Sequence, residues 1–342
     1  MHTQTKPIAI VNVMDNRLFA LGLVVLGLAL LSVLALRFGL RSMGFTDIWA
    51  SFVAFDPLNA SHIVVQEIRL PRLVAAVLAG ASLGMAGALM QGMTRNPLAD
   101  PGLLGVNAGA SLGVVICIML LGVTNPASFI WVALGGGFLA SLIVFFLGGA
   151  GRGSPARLIL AGAAVSALFL AISRGLLLIS QQTLDVYRFW VLGGFDGAQF
   201  STIIALAPFF GIGALLAGLA TFSLNALILG QDTAKGLGIR VGLAQLLVGL
   251  AIVVLCAATV AMAGPIAFVG LIVPHLARWI AGPDMRWMVG FSACLGACLL
   301  VAADLLGRLA IFGGNMQAGV MAALIGGPVL IWLVRRHGVH KL

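Results

Sequence analysis

The sequence predicts an all-α, polytopic membrane protein of about ten transmembrane helices, one of them short and broken, with an inverted internal repeat. Composition is the first ground. Of 342 residues, 61% are hydrophobic and 8% charged, against roughly 25% charged in soluble domains. The second is a series of uncharged stretches, most near the ~20 residues that cross a ~30 Å hydrocarbon core. They do not alternate polar and apolar positions as a membrane barrel would. The third is the 45 glycines, about twice the usual ~7% share, which mark close helix contacts in lipid.

Taken in order, a polar segment to Arg17 precedes a first span, Leu18–Leu36, read as retained rather than cleaved. Residues 37–67 form an outside loop carrying a short helix, Thr46–Phe55. Span two, Leu73–Thr94, carries Gly80, Gly84, Ala88 and Gly92 on one face, so another helix can approach closely. Arg95-Asn96-Pro97 ends it. The uncharged stretch from Pro101 to Gly151 divides at Gly122–Pro126 into spans three and four. After a tight loop, Gly151–Arg157, span five runs Leu158–Ile179. Gln181–Gln199 is a polar connection, and span six lies within Thr202–Leu224. Span seven is Val241–Met262. Gly264-Pro265 and Gly282-Pro283 bracket a short helix, Ile266–Ile280, which at ~1.5 Å per residue is only a partial crossing. Spans nine and ten are Trp287–Ile311 and Val320–Val334. The whole chain, 1–342, reads as one transmembrane domain with 225–240 as an inside loop.

Charge sets the orientation. With both termini cytoplasmic, twelve basic residues fall inside: Lys6, Arg17, Arg95, Arg152, Arg157, Lys235, Arg240, Arg278, Arg286, Arg335, Arg336 and Lys341. Five fall outside, Arg37, Arg41, Arg69, Arg72 and Arg188, a positive-inside bias. That bias explains the net charge of +9 better than nucleic-acid binding, which is set aside. Cys117, Cys256, Cys294 and Cys298 lie in apolar runs with no His or carboxylate at ligand spacing, so they read as buried thiols and no metal site is expected. Met85-Ala86-Gly87 and Pro97 return as Met262-Ala263-Gly264 and Pro274 at one offset, 177, on spans of opposite direction. That is the pattern of an inverted repeat.

Three segments carry candidate functional residues. Arg69 and Arg72 stand at the outer end of span two, as helix-end anchors that snorkel to headgroups or as receivers of an acidic partner. Arg308 is either a third receiver or an i,i+4 partner of Asp304. The inside segment Gln231-Asp232-Thr233-Ala234, ending at Gly238, suits a short helix with small residues for a partner's groove and a left-handed glycine cap. His275, in Pro274-His275-Leu276-Ala277-Arg278, reads as structural, and Gln91, Asn96 and Asn107 as groups that satisfy backbone at helix breaks. Arg174, within span five, faces a wet path or a neighbouring subunit.

These segments also carry a resemblance. Arg69-Leu70-Pro71-Arg72, Gln91 and Asn96-Pro97-Leu98-Ala99-Asp100-Pro101-Gly102-Leu103-Leu104-Gly105 are similar to the permease subunits of ABC importers for ferric siderophores, haem and vitamin B12. The wording is closest to a ferric-enterobactin-type permease. The resemblance implies two cytoplasmic ATPase subunits, a second permease subunit (the same chain or another) and a periplasmic or lipid-tethered binding protein, all at a bacterial inner membrane. It implies that Gln231, Asp232, Thr233, Ala234 and Gly238 couple to the ATPase, where relatives often have two acidic residues. It also implies that Arg69, Arg72 and Arg308 dock the binding protein, and that Ser154, Pro155 and Ala156 narrow the inner mouth.

No phosphate-binding G-x-x-x-x-G-K-[ST] occurs, and no nucleophile or paired-carboxylate site stands out, so the chain reads as a non-enzymatic permease without a cofactor. Its cargo reads as a ferric siderophore of catecholate type, with haem or a corrinoid as alternatives. An ion-coupled secondary transporter would need intramembrane carriers, for which only Asp304 and His275 qualify.

Overall fold

The structure, a computed structural model, describes residues 10–39, 41–123, 125–149, 155–309 and 316–337. Within them the chain folds as α1 (Ile10–Arg37), α2 (Phe45–Val53), α3 (Ala60–Ile63), α4 (Leu70–Thr94), α5 (Val106–Leu121), α6 (Ile130–Leu147) and α7 (Pro155–Ile179). It continues through α8 (Gln181–Trp190), α9 (Phe200–Ile228), α10 (Gln231–Gly236), α11 (Val241–Ala263), α12 (Val269–Ala281), α13 (Met285–Gly307) and α14 (Ala318–His337). Among the described residues, seven stretches are long and apolar enough to cross a membrane, and three shorter apolar helices, in α5, α12 and α14, bring the number to ten.

One boundary differs substantially from the sequence reading. The last part of the expected loop, residues 60–67, is helical: α3 runs through a π-helical turn, Val64–Arg69, straight into α4. Pro71 lacks an N–H and its ring crowds the preceding turn. The wider turn, closed by Leu70 N–H donating to the Val65 carbonyl, lets the helix pass that proline unbroken.

Helix α4 is the centre of the bundle, packed by α13, α11, α12 and α9. The glycine stripe makes this possible. A methyl group at Gly80 would fall on the Gly296 carbonyl, at Gly84 on that of Ser292, and at Gly87 on that of Gly270. The α4 backbone therefore lies directly against α13 and α12, the route by which helices associate where lipid offers no hydrophobic drive. Rising numbers on α4 meet falling numbers on α13, so the two are antiparallel. Helix α1, packed chiefly on α13, and α7 stay largely exposed, with side chains such as Phe19, Leu23, Leu160 and Leu178 turned outward.

The contacts repeat. As α4 packs on α13, so α11 packs on α6, and α4 and α11 meet each other. Helices α5 and α12 are the short members of the two sets, and each starts at a left-handed residue: Gly105 (φ 79°) and Phe268 (φ 69°), the latter 163 positions later. Glycines on the closing helices fit against the same two turns, Gly162 of α7 on Leu103 and Gly326 of α14 on Phe268. The repeat therefore relates α4–α7 to α11–α14. The Met-Ala-Gly echo does not mark its register, because Met85–Gly87 sits inside α4 whereas Gly264 caps the end of α11.

Gly84→Ala should lower the thermal unfolding midpoint in detergent by several degrees, because the Ser292 backbone must move (~1–3 kcal/mol for overpacking). Gly218→Ala, whose methyl meets nothing within 4 Å, should leave the midpoint unchanged or raise it.

Candidate functional site

The functional candidates separate to the two ends of α4. At its N-terminal end the structure brings Arg69, Arg72 and Arg308 together but turns them inward, each less than a tenth exposed. Arg72 donates from Nε to Asp304 Oδ1 at 2.7 Å, and from Nη1 to Asp196. Arg308 Nε lies 3.1 Å from Asp304 Oδ2, the i,i+4 pair. Arg69 donates from Nη1 to the carbonyls of Leu36 (2.5 Å) and Arg37 (2.8 Å), and from Nη2 to that of Arg41. All three arginine side chains are thus partnered within the protein.

The cluster ties together α4, α13, the turn after α1 and the 191–199 connection. That connection is itself pinned, Gly194 N–H donating to the Ala263 carbonyl (2.8 Å) and Gly319 N–H to that of Gly193 (2.9 Å). Asp304 is 2% exposed, whereas the Asp196 side chain is 48% exposed. Asp196 is thus the rim of the cluster and Asp304 its floor. Sequence reasoning passed over Asp196. The only available signal was a lone aspartate in a loop assigned to the same side as Arg72.

At the other end, α10 fills the step between α9 and α11. Ala234 is fully buried and anchors it, while Asp232 is 99% exposed and pairs with Lys235 at 3.1 Å. Ile239 N–H donates to the Ala234 carbonyl (3.0 Å) and Gly238 N–H to that of Lys235 (2.9 Å). With Gly238 at φ 79° this is a Schellman cap, the left-handed glycine end that the sequence predicts. The step around it is fastened by a network that went unread. Arg95 Nη2 donates to the Leu227 carbonyl (2.7 Å). Asn225 donates to Asp284 (2.9 Å) and accepts from Met285 N–H (2.9 Å). Burial alone would raise the Asp284 carboxyl. Bonds from Asn225 and the Arg286 amide, with the nearby Arg286 and Arg17 guanidiniums, outweigh it and hold the group below the usual carboxylate range.

The remaining candidates fall as follows. Ser154 lies outside the described residues, and Pro155 and Ala156 open α7, proline sitting where a helix start favours it. Gln91 donates to the Leu271 carbonyl (3.0 Å), His275 Nδ1 lies 2.8 Å from the same carbonyl, and Asn96 accepts from Leu98 N–H (3.0 Å). The His275 and Asn96 contacts are local, whereas Gln91 reaches from α4 across to the α12 backbone. Among the described residues no group of three His, Cys, Asp or Glu could hold a metal ion. Arg174 is exposed on α7.

Asp304→Asn should cost much more stability than Asp196→Asn. Losing the floor leaves buried arginines uncompensated (~3–5 kcal/mol), while the half-exposed rim is worth ~1 kcal/mol or less. Unfolding midpoints of the two variants in the same detergent check the order.

The FecCD transport family model matches residues 27–336. The ferric enterobactin transport system permease protein FepD of Escherichia coli K12 is 43% identical over 95% of this chain and 97% of its own. The probable siderophore transport system permease protein YfiZ of Bacillus subtilis 168 is 38% identical over 87% of this chain and 90% of its own. A solved metal-chelate type ABC transporter in an inward-facing conformation superposes with a TM-score of 0.81 at 27% identity, covering 93% of this chain and 99% of that one.

Proposed function

The chain belongs to the FecCD transport family, and we propose that it is the permease subunit of an ATP-driven importer that carries a ferric siderophore, of catecholate type, across the bacterial inner membrane. The observation that carries this reading is α10, a short helix with a buried alanine root, an exposed Asp232–Lys235 pair and a glycine cap at one end of the bundle. Such a helix offers a compact knob to a partner's groove, and the chain has no phosphate-binding loop of its own. Gln231, Asp232, Thr233, Ala234 and Gly238 are assigned to docking on one of two cytoplasmic ATPase subunits. Both termini are then cytoplasmic, and residues 225–240 form the coupling loop of the single domain.

The opposite end takes the soluble binding protein. Arg69, Arg72 and Arg308 carry one positive charge more than Asp196 and Asp304 neutralise, so the net field of the cluster favours an acidic partner. A second permease subunit completes the path against the exposed face of α7, which bears Arg174 and begins at Pro155 and Ala156; with Ser154 before them in the chain, these are assigned to the inner mouth. Alternating access follows when ATPase closure pushes α10, and the two repeats tilt about the α4 seam. The catecholate assignment rests on the extent and identity of the match to FepD.

Gly238→Val forces a branched residue into a left-handed turn at ~1–2 kcal/mol. In proteoliposomes assembled with the ATPase and binding protein, this variant should lose ATP-driven uptake at least tenfold while the binding protein still docks. Parallel uptake of ferric catecholates, haem and cobalamin checks the cargo. Uptake of haem or cobalamin alone contradicts the siderophore reading.

A further inference from the structure

An apolar cavity lies at the α10 end of the bundle. A cavity with about 800 Å³ of free space, including its open mouth, runs between the end of α4, the second half of α6, the start of α7 and the first half of α11. Its long walls are Phe138, Leu142 and Phe145 on α6 and Leu246, Leu250 and Val253 on α11. At ~1.5 Å per residue these walls are about 11–12 Å long. The hydroxyls that border it are turned away onto backbone: Thr94 donates to the Met90 carbonyl (2.8 Å) and Ser141 to that of Leu104 (3.0 Å). Apart from the Gln245 side chain, the interior is therefore close to hydrocarbon in character.

Gly249 keeps the groove open. It sits inside α11, where glycine costs ~1 kcal/mol against alanine, yet a methyl there would meet nothing within 4 Å. No close approach of another helix accounts for it, unlike Gly80 or Gly84. Three arginines stand close in the chain to residues that line the cavity. Arg95 follows Thr94, Arg157 precedes Leu158, and Arg240 caps the helix carrying Gln245 and Leu246; all three arginines are exposed. Helices α4, α6, α7 and α11 contain no Asp or Glu. The helix starts of α7 and α11 add their positive dipole ends at the same place.

We propose that this cavity holds one acyl chain of an anionic phospholipid, with its phosphate against Arg157 and Arg240 and the chain laid along Gly249. Basic clefts between membrane helices select anionic headgroups on general grounds, and the apolar groove supplies what a free phosphate lacks. The bound lipid would fill the space between the two repeats beside α10, and so stiffen the step on which α10 rests.

The test uses the full chain purified in detergent, with phosphatidylglycerol and phosphatidylcholine of identical chains as probes and retained lipid read by native mass spectrometry. The chain should retain phosphatidylglycerol at least tenfold better than phosphatidylcholine. Gly249→Leu, which fills the groove, should lower retention of phosphatidylglycerol at least tenfold. The pair Arg157→Gln and Arg240→Gln should reduce the preference by about fivefold per charge removed. If Gly249→Leu does not fold, Leu246→Trp narrows the same groove from an exposed position and should give the same loss. Equal retention of the two lipids, undiminished retention in the groove-filling variant, or displacement by excess inorganic phosphate each overturns the proposal.

Discussion

Inside a bilayer, apolar side chains gain nothing by leaving lipid for protein, so two helices hold together only as well as their surfaces fit. The contact of α4 with α13 and α12 meets that demand through Gly80, Gly84 and Gly87, each opposed by a carbonyl of the facing helix. Gly270 belongs to this fit for a second reason. Pro274 has no N–H, so the Gly270 carbonyl lacks its usual helical partner, and the bare α4 backbone packs against it. Everything else in the bundle is arranged about this seam, with α1, α7 and the outer faces of α6 and α9 left to lipid or to other subunits.

A rigid central helix has two useful ends. One is locked by charge, Arg72 joining Asp304 on α13 to Asp196 on the connection before α9. The other is fastened by hydrogen bonds through Arg95, Asn225 and Asp284, with no ion pair between the helices there among the described residues, and α10 protrudes at that end. On the proposed function, a push at α10 reaches the far end as movement of whole packed helices, since a seam without side chains leaves nothing soft to absorb it. The lipid groove beside α10 bears on the same step.

Much of this was legible in the sequence because membrane constraints are local. Span length, the four-residue glycine stripe of α4 and the glycine-ended signature of α10 each follow from residues near one another in the chain. What escaped depends on distant partners. Nothing near Arg72 shows that Asp196 and Asp304 will neutralise it, so its burial was not foreseen. The π-turn that carries α3 past Pro71 was read as a loop because the segment is polar and ends in proline. The repeat was sensed, but its register is set by backbone turns at Gly105 and Phe268, two residues that share no chemistry. A phenylalanine forced to the conformation natural to glycine gives no outward sign.

The account stands or falls on which end of α4 meets the ATPase. A photo-reactive cross-linker placed at Asp232 in the assembled complex tests this directly, with one at Leu58, 92% exposed near the opposite end, as the control. Capture of a nucleotide-hydrolysing subunit from Asp232 and none from Leu58 is the predicted result. Capture from Leu58, with Asp232 silent, would contradict it.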